Sequence, residues 1–247
     1  MNFLLLDRDE LDQNGRATLT GRRARHLREV LRVEAGARLR AGVVDGMLGE
    51  ALVEQVTSTS AVVCASLHTA PEPVGDTLLL AAPRPKVLMR MLSHAAAMGF
   101  ARVVLFRSWR VDKTWMQSRA FDPAVQREQL MLGLEQAGRT RLPELLRFDR
   151  FKPMVEDELP RLNLPPLRFV AHPHAAQPTS HLAPTDGPFA LTLGSDGGLL
   201  PYEVDLLSKS GFLPVSMGPH ALRTETALAA LWGQLDLLRR SARLTNQ

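Results

Sequence analysis

The stretch Phe189–Gly198, FALTLGSDGG, decides how the chain is read. Its first half is a run of apolar, β-favouring residues, and its second half is a glycine-rich bend. A helix then opens at Pro201, with Glu203 in its first turn. Glycines at the carboxyl end of a strand let the backbone approach a ligand and turn amide groups toward it. The spacing is neither GxGxxG nor GxxxxGK(S/T), so the fingerprints of dinucleotide and nucleoside-triphosphate sites are absent. A plain strand-to-helix turn would use the same residues, and the neighbourhood has to separate the two readings.

Outward from this stretch the pattern alternates. Strand-like runs at Thr77–Ala81, Arg102–Phe106, Leu167–Ala171, Phe189–Leu193 and Leu213–Ser216 are separated by helical patterns. The helical patterns cover Lys86–Met98, Pro123–Ala137, Pro201–Ser210 and Thr224–Arg240. Alternation of this kind predicts a parallel sheet covered on both faces. The nine prolines between Pro143 and Pro188 suggest irregular connection around a single strand. Residues 1–70 differ: short apolar runs (Phe3–Leu6, Arg38–Val44, Glu50–Val56, Ala61–Leu67) are joined by turns such as Asp45-Gly46, and one helix starts at Thr20 or Gly21 and ends at Gly36. Ala70-Pro71-Glu72-Pro73 reads as a linker. The expected fold is therefore a small β domain (1–70) followed by an α/β domain (74–247).

The chain of 247 residues, 45% hydrophobic and 23% charged, is long enough for a core and excludes disordered and collagen-like classes. The single cysteine, Cys64, rules out an internal disulfide and suits a reducing compartment. No apolar run is long enough for a membrane span, and MNFLLLDRDE lacks the form of a secretory signal, so a cytoplasmic location without a membrane partner is expected. Of the 30 basic residues all but Lys86, Lys113, Lys152 and Lys209 are arginine. Guanidinium groups match phosphate and stack on bases, although a GC-rich genome would produce the same bias. Position discriminates better: seven arginines between Arg22 and Arg40 face only Glu29 and Glu34, and Arg25, Arg28 and Arg32 line one side of the expected helix.

A second glycine bend, Met217–Thr226, follows the next strand. Thr224 is suited to an N-cap, and Glu225 to the positive end of a helix dipole. Arg223 opposes that dipole, so a functional role explains it better than a structural one. In Glu135–Pro143, Gly138 reads as a helix C-cap, while Arg139 and Arg141 could neutralise helix carbonyls or hold phosphate. A rival lies in His172-Pro173-His174 with His181, a metal-type spacing; yet too few residues follow for the barrel hydrolases that use it, and no metal is expected. The stripe Leu228, Leu231, Trp232, Leu235, Leu238 serves either the core or a dimer seam.

The ending LGSDGG…EVDLLSKSGFLPVSMGPHALRTETALAAL resembles that of the bacterial RsmE-type ribosomal RNA methyltransferases of the SPOUT class. HLREVLRV (26–33) and EQAGRTRLPEL (135–145) agree with it, and LRTETA is the most specific piece. The resemblance implies a PUA-like N-terminal RNA-binding β domain and a homodimeric SPOUT α/β domain with a C-terminal trefoil knot. It also implies methylation, from S-adenosyl-L-methionine, of N3 of a uridine in small-subunit (16S) ribosomal RNA. By position, the cofactor would lie among Leu193, Gly194, Ser195, Asp196, Gly197, Gly198, Met217, Gly218, Leu222 and Thr224. Arg223 would face the target base or its phosphate as a catalytic group, and the base that removes the N3 proton would be Glu225, Asp196 or water. RNA would be held by Arg25, Arg28, Arg32, Arg139 and Arg141. Three departures stand out: Ser195-Asp196 in place of Pro-Glu, Ala97-Met98 in place of Glu-Leu, and His220-Ala221 in place of Arg-Ile. They leave a second reading, a non-catalytic RNA-binding protein that retains the fold.

Overall fold

The structure, a computed structural model, describes residues 3–218 and 220–245. The chain divides into two compact units, residues 1–73 with 131–142, and residues 74–130 with 143–247. Among the described residues no helix is long and apolar enough to cross a membrane.

The first unit is a five-stranded sheet in the order β1-β3-β4-β5-β2. Its strands are β1 (Phe3–Leu6), β2 (Arg16–Thr20), β3 (Arg38–Val43), β4 (Leu48–Val56) and β5 (Ser60–Thr69). β1 runs parallel to β3, and the other pairs are antiparallel. The inward residues of each strand, among them Leu6, Leu19, Ala41, Val53 and Val63, form one apolar cluster with Leu27. The strand β2 was not anticipated, although RATLT alternates exposed and buried residues as a half-buried strand does. The expected helix ending at Gly36 is shorter. α1 (Gly21–Arg25) passes into a π-turn over His26–Val30, and Arg32, at φ +50°, breaks the spiral four residues early. Residues 131–142 join this unit because Thr140 and Leu142 bond to the β3–β4 turn. The Thr140 hydroxyl donates to the Gly46 carbonyl (2.8 Å), the Asp45 N–H to the Thr140 carbonyl (2.8 Å), and the Leu142 N–H to the Asp45 carboxylate (2.9 Å).

The second unit is a six-stranded, wholly parallel sheet. β6 (Thr77–Ala81), β7 (Arg102–Phe106), β8 (Glu144–Phe148), β9 (Leu167–Ala171), β10 (Phe189–Leu193) and β11 (Leu213–Val215) stand in the order β11-β9-β10-β6-β7-β8. β6 and β10 are buried at every position, as central strands covered on both faces must be. The helices are α2 (Pro85–Met98), α3 (Pro123–Ala137), the short turn α4 (Phe151–Pro153), α5 (Pro201–Lys209) and α6 (Thr224–Thr245). The Pro-rich stretch is more ordered than expected. β8 adds an edge strand, and its ELLRF sequence is half-exposed, which hides it from a search for apolar runs. In α6, Leu228, Leu231 and Leu235 are buried within this unit, so that part of the stripe is core packing.

Candidate functional site

The register of the sheet sets up the site. Val170 pairs with Thr192, and Ala171 with Val215, so β10, β9 and β11 end level with one another. β9 lies between the strands that precede the two glycine bends, correcting the expectation that those bends sit at neighbouring strand ends. Three loops and the start of α6 enclose a cleft of about 290 Å³ at these carboxyl ends, the position where open parallel sheets hold ligands. Small-molecule pockets begin at roughly this size.

All ten residues expected to meet the cofactor line this cleft: Leu193, Gly194, Ser195, Asp196, Gly197, Gly198, Met217, Gly218, Leu222 and Thr224. The sequence reading missed the third wall, Ala171–His174, and also Val215, Ser216, Ala227, Leu231 and Arg110. The HPH signal was read only as a possible metal pair. The two imidazoles stand 5.8 Å apart, and among the described residues no third ligand joins them. Burial, followed by the neighbouring His174, lowers the pKa of His172, favouring a neutral ring in the cleft wall.

The bend after β10 is tight. A Cβ at Gly194 would lie 3.0 Å from the backbone of Gly198 and Leu199, and the Gly198 N–H closes the turn on the Ser195 carbonyl at 2.8 Å. Gly218, at φ +126°, adopts a backbone that L side chains rarely reach. Thr224 joins the two bends: its hydroxyl reaches the Gly194 carbonyl at 3.4 Å. It is therefore not the N-cap expected of it; the Arg223 carbonyl accepts the first helical bond, from the Ala227 N–H. The floor is apolar, with Leu193, Leu199, Val215 and Leu231. Set into it is one orphaned polar group, the buried Ser195 hydroxyl, which has no partner among the described residues. An apolar cradle with backbone amides and a single unmet hydroxyl suits a mostly apolar small molecule carrying a few polar atoms.

The charged groups sort differently. Arg84 pairs with Asp196 (3.2 Å), and one Arg90 nitrogen donates to both oxygens of Glu225 (3.1 Å). Arg223 is exposed and unpaired among the described residues; it does not itself line the cleft, but Leu222 and Thr224 on either side of it do. Glu225 also lies outside the lining.

The five arginines expected to hold RNA all belong to the first unit. Among the described residues Arg25, Arg32 and Arg141 are exposed without ion pairs, Arg28 pairs with Glu29 (2.6 Å), and Arg139 lies 3.8 Å from Glu72. The basic cluster is less bare than its sequence suggests. Arg22 is held by Glu135, Arg23 by Glu10 and Arg38 by Glu50, all carboxylates from outside the 22–40 segment.

The RNA methyltransferase domain family matches residues 70–236. The chain belongs to that family. It is 28% identical over 250 residues, covering 93% of this chain and 88% of the other, to the ribosomal RNA small subunit methyltransferase E of Treponema pallidum. Among solved structures, the Neisseria gonorrhoeae ribosomal RNA small subunit methyltransferase E bound to S-adenosyl methionine superposes with a TM-score of 0.76. That match is 20% identical and covers 96% of this chain and 98% of the other. A Legionella pneumophila methyltransferase in complex with the same cofactor gives 0.72 at 25% identity, covering 97% of each chain. This RNA methyltransferase therefore has the two-part β and α/β fold that the LRTETA run and its companions implied.

Proposed function

We propose that this RNA methyltransferase holds S-adenosylmethionine in the cleft above β9, β10 and β11 and methylates N3 of a uridine in small-subunit ribosomal RNA. The observation that carries the reading is the convergence of the Leu193–Gly198 and Met217–Thr224 bends on one cavity, with Arg223 unpaired among the described residues beside it. The names of its relatives support the substrate, and the cofactor-bound structures support the donor.

When bound, the cofactor supplies a methyl group already activated by its sulfonium charge. The protein's task is then alignment and charge stabilisation. The bends at Gly194 and Gly218 would hold the donor, and the unpartnered Ser195 hydroxyl would offer it a hydrogen bond. The target nucleotide leaves its stack so that its Watson–Crick edge is reachable. Arg223 faces the pyrimidine oxygens and stabilises the negative charge left as N3 loses its proton. That proton leaves to solvent, since the ion pairs of Asp196 with Arg84 and of Glu225 with Arg90 favour the charged carboxylates and weaken them as bases. Arg25, Arg28, Arg32, Arg139 and Arg141 hold RNA phosphates through the first unit. The protein works in the cytoplasm as a homodimer, without a metal.

The deciding experiment is mass spectrometry of ribosomal RNA from a deletion strain. One methylated uridine should disappear and return when purified protein, S-adenosylmethionine and small subunits are combined. An unchanged modification pattern rejects the reading. If calorimetry shows no heat on adding S-adenosylmethionine, the RNA-binding protein without catalysis takes its place.

A further inference from the structure

Trp109 is 77% exposed, the most exposed large hydrophobic side chain among the described residues. Its backbone, by contrast, is firmly held. The Trp109 N–H donates to the carboxylate of Glu203, which is wholly buried and also accepts from the Leu200 N–H (2.9 and 2.7 Å). Ser108 before it is buried, and Arg110 after it lines the cleft, its guanidinium donating to the Gly197 carbonyl. A rigid stem thus carries an open indole at the rim of the glycine bend. The segment that carries it is cationic along the chain: Arg107, Arg110, Lys113 and Arg119 lie within thirteen residues that contain one acid, Asp112.

An exposed indole on a fixed backbone, flanked by cations, is the arrangement with which proteins stack unpaired bases while tracking the phosphates between them. Water solvates the flat face of an indole poorly, so a base laid on it gains apolar contact without displacing any protein partner. The same cationic flank disfavours a second copy of this segment as the occupant. We infer that Trp109 is a stacking platform for an unpaired base of the RNA substrate, next to the nucleotide that enters the cleft. The inference rests on the methyltransferase reading above and adds to it a residue that recognises single-stranded RNA.

The test compares the full-length protein with its Trp109→Ala and Trp109→Phe variants. Binding is followed by fluorescence anisotropy of a short labelled single-stranded RNA, and of the same strand in a duplex, at one fixed salt concentration. Trp109→Ala should weaken single-strand binding by roughly tenfold or more. Trp109→Phe should keep most of the affinity, and duplex binding should change little. The heat of S-adenosylmethionine binding should be the same in all three, showing that the cleft is intact. Equal single-strand affinity in Trp109→Ala overturns the stacking role alone. A fall in particle mass by light scattering in that variant also overturns it and assigns the indole to a contact between copies. Failure of the unsubstituted protein to bind RNA at all overturns the methyltransferase reading along with it.

Discussion

The cleft above β9, β10 and β11 and the arginine-rich part of the first unit are built from different materials. The cleft is made of backbone: glycine bends, strand ends and an apolar floor, with Thr224 joining one bend to the other. The arginine-rich part is made of long side chains, and several of its charges are already neutralised by Glu10, Glu50 and Glu135. Short-range contacts at van der Waals distance fix the first, so small changes in it should have large effects. Screened charge governs the second, so single changes there should have small and salt-dependent effects.

The largest expected effect lies beside the cleft, at Arg223. Arg223→Ala should lower the methylation rate by roughly 100- to 1,000-fold while leaving the calorimetric affinity for S-adenosylmethionine near its original value. Unchanged turnover would remove Arg223 from the chemistry. Next, Gly194→Val forces carbon into a space where a Cβ alone would sit 3.0 Å from Gly198. Overpacking of about 1–3 kcal/mol should appear as roughly a tenfold or greater loss of cofactor affinity. Full retention would show that the bend yields and is not the rigid cradle described.

A middle-sized effect tests the buried ion pairs at the amino ends of β6 and β10, the end of the sheet opposite the cleft. Asp236 on α6 accepts from Arg239 and Arg240 (2.6 Å each), and Arg239 also pairs with the buried Asp76 (3.0 Å). Burial works against the charged form of Asp236, but the two arginines prevail and hold its pKa below the ordinary 3.8. Its contribution to stability is therefore present above pH 3.8 and lost as pH falls through the lowered value. Asp76 shifts the other way, because burial outweighs the Phe189 N–H and Arg239. Asp236→Asn should cost about 1–2 kcal/mol near neutral pH, the exposed Arg240 adding little, and should flatten the acid limb of thermal unfolding. An unaltered acid limb would place the acid sensitivity elsewhere.

The smallest effects belong to the first unit. Arg25→Ala or Arg32→Ala should weaken RNA binding several-fold and reduce the slope of log affinity against log salt by about 1. Arg22→Ala, whose guanidinium is engaged by Glu135, should change that slope little. If Arg22 and Arg25 behave alike, the distinction between paired and free arginines fails.

The same contrast explains what could be read without coordinates. The FALTL strand and its glycine bend, the Asp45-Gly46 turn and the Gly138 cap were legible because each is a local conflict between side chain and backbone that a few residues resolve. β8 and β2 were not, since an edge strand with a half-exposed ELLRF or RATLT pattern has no continuous apolar run. His172 and His174 were weighed only as a metal pair, and their place in the cleft wall was not foreseen, because nothing local shows that β9 separates β10 from β11.

The sequence by itself determined the strand-and-helix alternation, the two glycine bends and the family resemblance, since periodicity and backbone permissiveness act over a few residues. Tertiary structure alone decided which strands became neighbours. It brought His172 to the cleft wall, Arg84 to Asp196 and Arg90 to Glu225, and distant glutamates to the arginines of the first unit. Strand order and charge pairing depend on packing between segments far apart in the chain, where separation along the sequence carries no information about distance in space.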